Sequence, residues 1–275
     1  MIITSPTGTE YMVGDLVGQT ATYRLYLCTQ VGTGRQCLLQ VAKETTHNGD
    51  LDRTAYILRE LRAKADELER QYESRRRFPD ERLNYHFGFP EAVESFVVKE
   101  QGGRRINVLV FPCVDNVIQL VPLYNIIYKD HKRVNTRTSA WIMGKILKIL
   151  VFAHDQEFQV NNLEPSNILI EPDLHFVVVF DWSDARSSPH GMEADLTRAD
   201  IMKAAHAVIT LLGGDATMRS FPEDGVENAS VYLDHLLQLA AGRQSSAAHA
   251  HKEFYQLLKN SLHWKGFHPF TTLNR

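Results

Sequence analysis

The chain has 275 residues, of which 44% are hydrophobic and 23% are charged, and 30 Lys and Arg stand against 33 Asp and Glu for a formal net charge of −3. This apolar content excludes intrinsic disorder, and 16 Gly and 10 Pro without a period exclude collagen-like or low-complexity architecture. The near-neutral charge gives no global electrostatic reason to bind a polyanion, so nucleic acid is not expected as a partner. The length suits one large core or two joined lobes.

Neither the start of the chain nor its cysteines indicate a secreted or membrane protein. Met1–Gly8 lacks the basic start and apolar core of a signal peptide, and no run reaches the roughly 18 apolar residues that a membrane span needs. We therefore expect a soluble, cytoplasmic protein. Cys28, Cys37 and Cys113 show no C-x-x-C spacing, which argues against a zinc site. Cys28 and Cys37 can face each other across a hairpin, but reduced thiols in the core are the expectation for this compartment.

The first hundred residues predict antiparallel strands around one helix. Alternating apolar residues predict a hairpin formed by Tyr23–Cys28 and Gln36–Lys43. Apolar residues then recur every three or four positions over Leu51–Tyr72, which predicts a long amphipathic helix. Two further short strands are predicted at Ala92–Val98 and Ile106–Phe111.

Beyond residue 112 the pattern becomes mostly helical. Val121–Tyr128 is predicted as a short helix and Ser139–His154 as a mostly buried one. Asn167–Ile170 and Phe176–Asp181 predict a short apolar hairpin that ends in a carboxylate. Three more helices are predicted at Asp195–Leu212, Val231–Ala241 and Ala247–Leu258. The sequence therefore predicts an α+β protein that divides into residues 1–112 and residues 113–275.

Two motifs in the second half carry chemistry. Leu163–Ile170 contains Asn167, and Val178–Ser183, which follows it closely, contains Asp181. Together they resemble the catalytic loop and the D-F-G motif of the protein-kinase-like superfamily, including its bacterial serine/threonine kinases. In that family the asparagine amide and the aspartate carboxylate converge on Mg²⁺ under the nucleotide phosphates. The resemblance therefore implies ATP and Mg²⁺ as cofactors, with Asn167 and Asp181 as the metal ligands.

The resemblance covers nearly the whole chain and implies a bilobal fold, with a small antiparallel β-sheet lobe that carries one long helix and a larger, mainly helical lobe. Lys43 resembles the V-A-I-K lysine that reaches the α- and β-phosphates, and Gly18 belongs to the glycine-rich loop above them. The resemblance implies that Phe111 lies at the back of the nucleotide cleft and that Cys113 lies in the hinge. Asp200 resembles the aspartate that anchors the catalytic loop.

The catalytic loop departs from the family pattern at two positions. Asn162 stands five residues before Asn167, where the H-R-D-x-x-x-x-N motif has its catalytic aspartate, and an amide cannot accept a proton from the substrate hydroxyl. Glu164 stands where a lysine balances the charge of the transferred phosphate. Its carboxylate is a candidate substitute base, although beside the γ-phosphate it adds repulsion.

The elements that bind the nucleotide in the kinase family also lack some of their characteristic residues here. Against G-x-G-x-x-G the chain keeps only Gly18, because Thr20 and Tyr23 occupy the two later glycine positions. Thr54 stands where a helix glutamate should pair with Lys43.

These departures predict a pseudokinase that binds ATP and Mg²⁺, transfers phosphate slowly or not at all, and acts through a protein partner. An active atypical kinase is the alternative. The short stretch between Asp181 and Asp200 leaves little room to dock a peptide, so its substrate would be a small molecule or a serine or threonine of a protein bound in another way. A structural module without nucleotide is the third hypothesis.

Overall fold

The computed structural model describes residues 1–75, 83–99, 102–264 and 266–275. It is a mixed α/β protein with a curled antiparallel sheet in its N-terminal part and mainly helices beyond. The chain separates into two compact units, Met1–Gln119 and Leu120–Arg275, which are called the N-terminal unit and the C-terminal unit below. The separation lies a few residues after the predicted boundary at residue 112.

The N-terminal unit is built on a six-stranded antiparallel sheet with the order β1-β2-β3-β4-β6-β5. The strands are β1 (Ile2–Thr4), β2 (Glu10–Gln19), β3 (Tyr23–Gln30), β4 (Gln36–Ala42), β5 (Glu91–Val98) and β6 (Arg104–Val110). The four predicted strands are confirmed as β3, β4, β5 and β6. Strands β1 and β2 were not predicted.

One long helix, α1 (Asn48–Glu73), packs against β4, β5 and β6, as the apolar periodicity predicted. Its first turn is tied to the sheet by Asn48, whose side chain donates to Gly103 O at 2.8 Å and accepts from Arg105 N at 2.7 Å. Farther along, the buried side chain of Asn107 donates to Leu51 O and to Gln40 Oε1. These bonds matter because a buried polar group without a partner is costly.

The other face of the sheet holds a separate apolar cluster. Side chains alternate between the two faces of a strand, so Cys37, Leu39 and Val41 point away from Gln40, which lies on the side of α1. The buried members of this cluster are Ile3, Tyr11, Cys28, Cys37, Leu39, Val41, Phe96, Ile106, Val108 and Val110.

In the described residues of the C-terminal unit there are four α-helices, and all four were predicted. They are α2 (Thr136–Asp155), α3 (Ala194–Leu211), α4 (Ala229–Ala240) and α5 (Ala247–Gln256). Helix α2 packs against α3 and α5, and α3 packs against α4. Asn135 caps the N-terminus of α2, because its side chain accepts from Thr138 N at 2.8 Å.

Short strands complete the C-terminal unit. Strand β7 (Val121–Pro122) joins β10 (Ile168–Glu171) and β11 (Phe176–Val179) in a three-stranded antiparallel sheet. The remaining two pairs are β9 (Phe158–Gln159) with β12 (Arg186–Ser187), and β8 (Lys132–Val134) with β13 (Thr272–Asn274).

The hairpin of β10 and β11 confirms one prediction, and the short helix predicted at Val121–Tyr128 is confirmed except for its first two residues. Val121 and Pro122 extend along β10, and the helical segment covers residues 123–129, with π-helical geometry at Asn125–Lys129. Proline has no N–H and disfavours the helical conformation of the residue before it, so the apolar run does not start as a helix. Within the described residues, none of the helices combines the length and apolarity needed to cross a membrane.

Candidate functional site

The loop that follows β9 is held by the carboxylate of Asp200, which is fully buried on α3. Its Oδ2 accepts from Val160 N at 2.8 Å, and its Oδ1 accepts from Asn161 N at 2.8 Å. The Oδ2 atom is also 2.9 Å from Nε2 of His154, near the end of α2. One carboxylate therefore fixes two successive backbone amides, and such charge-assisted bonds are stronger than neutral ones.

A second side chain of α3, Lys203, holds the same loop. Its Nζ donates to Asn161 O at 2.6 Å and to Asn161 Oδ1 at 2.8 Å, while Asn161 adopts a left-handed backbone with φ of 64°. Residues three apart on a helix share a face, so Asp200 and Lys203 reach the same segment. Sequence reasoning missed Lys203, and its spacing from Asp200 was the available signal.

The side chain of Asn167, the predicted metal ligand, joins the loop to the segment after β11. Its Oδ1 accepts from Asp181 N at 2.5 Å, and its Nδ2 donates to Asp181 O at 3.0 Å and to Asn162 O at 2.6 Å. Asn167 is 3% exposed and Asp181 is 6% exposed. Three predicted site residues, at positions 162, 167 and 181, are thus connected by one amide.

The segment that begins at Asp181 turns tightly. The Oδ1 atom of Asp181 accepts from Ser183 N at 2.9 Å. Between them, Trp182 is fully buried, and its Nε1 donates to Val179 O at 3.0 Å. The buried indole and the short Asp181–Ser183 bond together fix the orientation of the carboxylate.

The oxygen atoms of Asn167 and Asp181 are of the kind that would fit a magnesium ion. The Asn167 oxygen already accepts one hydrogen bond, but an amide oxygen has a second lone pair. Mg²⁺ is usually held by one or two protein ligands together with phosphates and waters. Across the described parts of the chain, no group of three or more His, Cys, Asp or Glu is arranged for a metal, so an all-protein cage is not formed there.

The two candidate catalytic positions have different surroundings. Asn162 is half-buried, and its backbone is engaged at both ends, since its N–H donates to Val160 O and its carbonyl accepts from Asn167. Glu164 has an exposed side chain, and its carbonyl accepts from the N–H groups of Asn167 and Ile168. Glu164 therefore shapes the loop through its backbone, while its role as a substitute base stays a prediction.

The turn between β2 and β3, the predicted glycine-rich loop, uses its own amides. Thr20 N donates to Tyr23 O at 2.9 Å, and Thr20 Oγ1 accepts from Thr22 N and Tyr23 N, both at 3.2 Å. Three backbone N–H groups that a phosphate would need are thus already bonded. Gly18 lies opposite Leu25, where an added Cβ would meet Leu25 Cδ1 at an ordinary 3.5 Å, so sterics do not require glycine there.

The other predicted nucleotide contacts lie at strand ends of the N-terminal unit. Lys43 directly follows β4, is half-buried, and donates its N–H to Thr22 O at 2.9 Å. Phe111 and Cys113 are buried just after β6. Thr54, at the expected glutamate position on α1, is buried and donates its hydroxyl to Asp50 O, so this position offers Lys43 no carboxylate.

Neither the known protein families nor the curated proteins give a match to this chain. The assignment of a function therefore rests on the residues and the geometry described above.

Proposed function

We propose that this chain is a degenerate member of the protein-kinase-like superfamily with a bilobal fold, a pseudokinase that binds ATP with Mg²⁺ and acts on a protein partner by binding. The observation that supports it most is the Asn167 amide that links Asn162 and Asp181. The anchoring of the loop by Asp200 adds to this support, because the kinase resemblance assigns that role to this aspartate.

The oxygen atoms that Asp181 and Asn167 offer as metal ligands support the binding of a nucleotide together with Mg²⁺. Asp181 supplies a carboxylate and Asn167 an amide oxygen, and hard oxygen ligands suit Mg²⁺. When bound, the metal would neutralise charge on the nucleotide phosphates. Both side chains are held by hydrogen bonds before any ligand arrives, which lowers the cost of ordering them on binding. Lys43 is assigned to the phosphates by its resemblance to the V-A-I-K lysine.

Two local features support the loss of phosphotransfer. Asn162 has an amide at the position of the general base, and an amide does not take up a proton at neutral pH. Three backbone N–H groups of the turn at Thr20 are hydrogen-bonded within the turn, so they give less electrostatic support to the nucleotide phosphates. A domain that holds the nucleotide without turnover is left with binding as its role.

An active atypical kinase is the second candidate, and the retained Asn167–Asp181 pair favours it. Phosphoryl transfer depends mainly on positioning and charge stabilisation, so a metal site without a base still supports slow transfer. Only a short segment separates Asp181 from the start of α3 at Ala194, which suits a small-molecule substrate better than a docked peptide.

The test of nucleotide binding is thermal unfolding of the full chain with millimolar ATP, with and without Mg²⁺. A ligand that binds the native state alone stabilises it by about 2.7 kcal/mol at 100 times its Kd, so we expect a rise in Tm of several degrees that needs Mg²⁺. Asp181→Asn should lose that rise, whereas the control Asp184→Asn, at an exposed position, should keep it. If the wild-type Tm does not change with ATP and Mg²⁺, the proposed nucleotide binding is wrong.

The test of catalysis compares the wild type with Asn162→Asp in an assay with γ-labelled ATP. The pseudokinase proposal expects no transfer of label by the wild type and a gain of transfer by the variant, which regains a carboxylate at the base position. Steady transfer by the wild type that disappears in Asp181→Ala and Lys43→Ala would favour the active kinase instead.

A further inference from the structure

Two cysteines of the N-terminal unit lie directly opposite each other on neighbouring strands. Cys28 of β3 and Cys37 of β4 are register partners, and their Sγ atoms are 2.8 Å apart. Opposed Cα atoms in an antiparallel pair are about 4.5–5.5 Å apart, which falls within the range of about 4.4–6.8 Å that a disulfide spans. The backbone therefore needs no rearrangement to join the two sulfur atoms.

The burial of Cys28 and Cys37 limits which oxidants can reach their sulfur atoms. Cys28 is 2% exposed and Cys37 is 1% exposed, both within the apolar cluster opposite α1. A bulky disulfide cannot reach sulfur atoms that are so deeply buried, whereas a hydroperoxide is small. The pair also lies close to the end of the hairpin, one register step from the Thr29–Gln36 pair that ends the ladder of β3 and β4, so fraying of the turn would admit a small molecule.

The two thiols are not equivalent. The hydrogen bond that it shares with Cys28 lowers the pKa of Cys37, and Arg35 lowers it further, although burial acts in the opposite direction. The hydrogen bond to Cys37, followed by burial, raises the pKa of Cys28. Because the thiolate is the nucleophile, Cys37 attacks first and Cys28 is the resolving thiol.

We propose that Cys28 and Cys37 are a redox modification site that a hydroperoxide converts to a reversible disulfide. The Cys37 thiolate attacks one oxygen of hydrogen peroxide, so that an S–O bond forms, the O–O bond breaks, and the departing hydroxide takes up a proton to become water. The Cys28 sulfur then attacks the Cys37 sulfur, the S–S bond forms, the S–O bond breaks, and the second water leaves with the Cys28 proton. Two thiols are oxidised by two electrons in total, and one peroxide is reduced to two waters.

Peptide mapping of the reduced, full-length wild-type protein after stoichiometric hydrogen peroxide tests the proposal. The expected loss of mass is about 2 Da, the two thiol hydrogens. Trypsin cuts after Arg24, Arg35 and Lys43, so Cys28 lies in peptide 25–35 and Cys37 in peptide 36–43. The two peptides should appear linked, and a dithiol reductant should separate them. Glutathione disulfide at the same concentration should give much less of this product.

Variants separate the two thiols. Cys28→Ser should accumulate a Cys37 sulfenic acid that dimedone traps, whereas Cys37→Ser should show no such adduct at Cys28. Cys113→Ser is the matched control, since Cys113 is also a buried cysteine and its replacement should leave the linkage unchanged. Closing the short loop in the wild type should also raise Tm by about 5 °C, reversibly.

Three results would overturn the proposal: no linked peptides in the wild type, linkage through Cys113, or oxidation that stops at sulfinic acid on Cys37. All three results can be read in the peptide map of the wild type, so the test does not depend on whether the variants fold. None of them depends on nucleotide binding.

Discussion

Asn167 and Asp181 are joined by two hydrogen bonds, since Asp181 N donates to Asn167 Oδ1 at 2.5 Å and Asn167 Nδ2 donates to Asp181 O at 3.0 Å. The same amide donates to Asn162 O at 2.6 Å. A side chain that a kinase would use for metal binding thus also acts as a structural bridge in the C-terminal unit. The structural role of Asn167 and its proposed role as a metal ligand have to be separated by experiment.

Replacement of Asn167 should therefore destabilise the protein even without a ligand. Asn167→Ala removes three hydrogen bonds and leaves buried backbone groups unpaired, so the free energy of unfolding should fall by about 3 kcal/mol. Urea unfolding followed by circular dichroism measures the change. The control is Asn260→Ala at an exposed position, which should change stability by less than about 0.5 kcal/mol. Equal stability of the two variants would contradict the bridging role.

The isosteric change Asp200→Asn should release the loop at Val160 and Asn161. Its side chain presents an NH₂ group where a carboxylate oxygen now accepts, so a donor would face a donor at one of two backbone amides. We expect a loss of stability of about 3 kcal/mol, because a buried charged acceptor of several bonds is removed.

Hydrogen exchange of the segment 158–162 measures the local effect of Asp200→Asn, which should be a loss of amide protection at Val160 and Asn161. Asp195→Asn is the matched control on the same helix, because the Asp195 side chain is 82% exposed. Unchanged protection at both amides in Asp200→Asn would show that the loop does not depend on this carboxylate.

The helices and strands whose apolar residues recur with a clear period were predicted from the sequence, and those without such a period were not. Helices α1 and α2 could be predicted because their apolar residues keep a helical period. Strand β2 has a single buried residue, Tyr11, among its ten, so it shows no alternation to detect. At Val121–Pro122 the pairing with β10 decides the conformation, and that partner is distant in the sequence.

The contacts of the candidate site, too, could be predicted only in part from the sequence. The kinase resemblance implied that Asn167 and Asp181 approach one metal ion, but the direct hydrogen bonds between them were not predicted. The spacing of Lys203 from Asp200 could have indicated that both lie on one face of α3, but the contact of Lys203 with Asn161 was not predicted, since the target of a long, flexible side chain depends on tertiary packing.

Acid should destabilise the C-terminal unit through histidines that are partly buried. Burial lowers the pKa of His235 below its ordinary value of 6.5, with Glu253 opposing this in part, and burial also lowers the pKa values of His175, His251 and His268. The unfolded chain then binds more protons than the native state just below pH 6.5, so the stabilisation is present above about pH 6.5 and is lost as the pH falls through that value.

The urea midpoint should accordingly decrease between about pH 7.5 and about pH 5.5. His235→Gln should make this decrease smaller, because glutamine does not titrate and Nε2 of His235 is buried. His190→Gln, at an exposed position, should leave the slope unchanged. A midpoint that rises toward acid would contradict the predicted sign.

The turn at Thr20 offers a test of whether its bonded backbone amides limit the proposed nucleotide binding. Thr20→Val keeps the shape of the side chain but removes the oxygen that accepts from Thr22 N and Tyr23 N. The variant should lose about 1 kcal/mol of stability without ligand, since two partly exposed bonds are lost. It should show a larger ATP- and Mg²⁺-dependent rise in Tm than the wild type, because the freed amides become available to phosphate oxygens.

Thr33→Val is the matched control, since Thr33 Oγ1 also accepts from a backbone amide, Arg35 N, in the turn between β3 and β4. A Thr20→Val variant whose ligand-dependent rise equals that of Thr33→Val would show that the turn amides do not limit nucleotide binding.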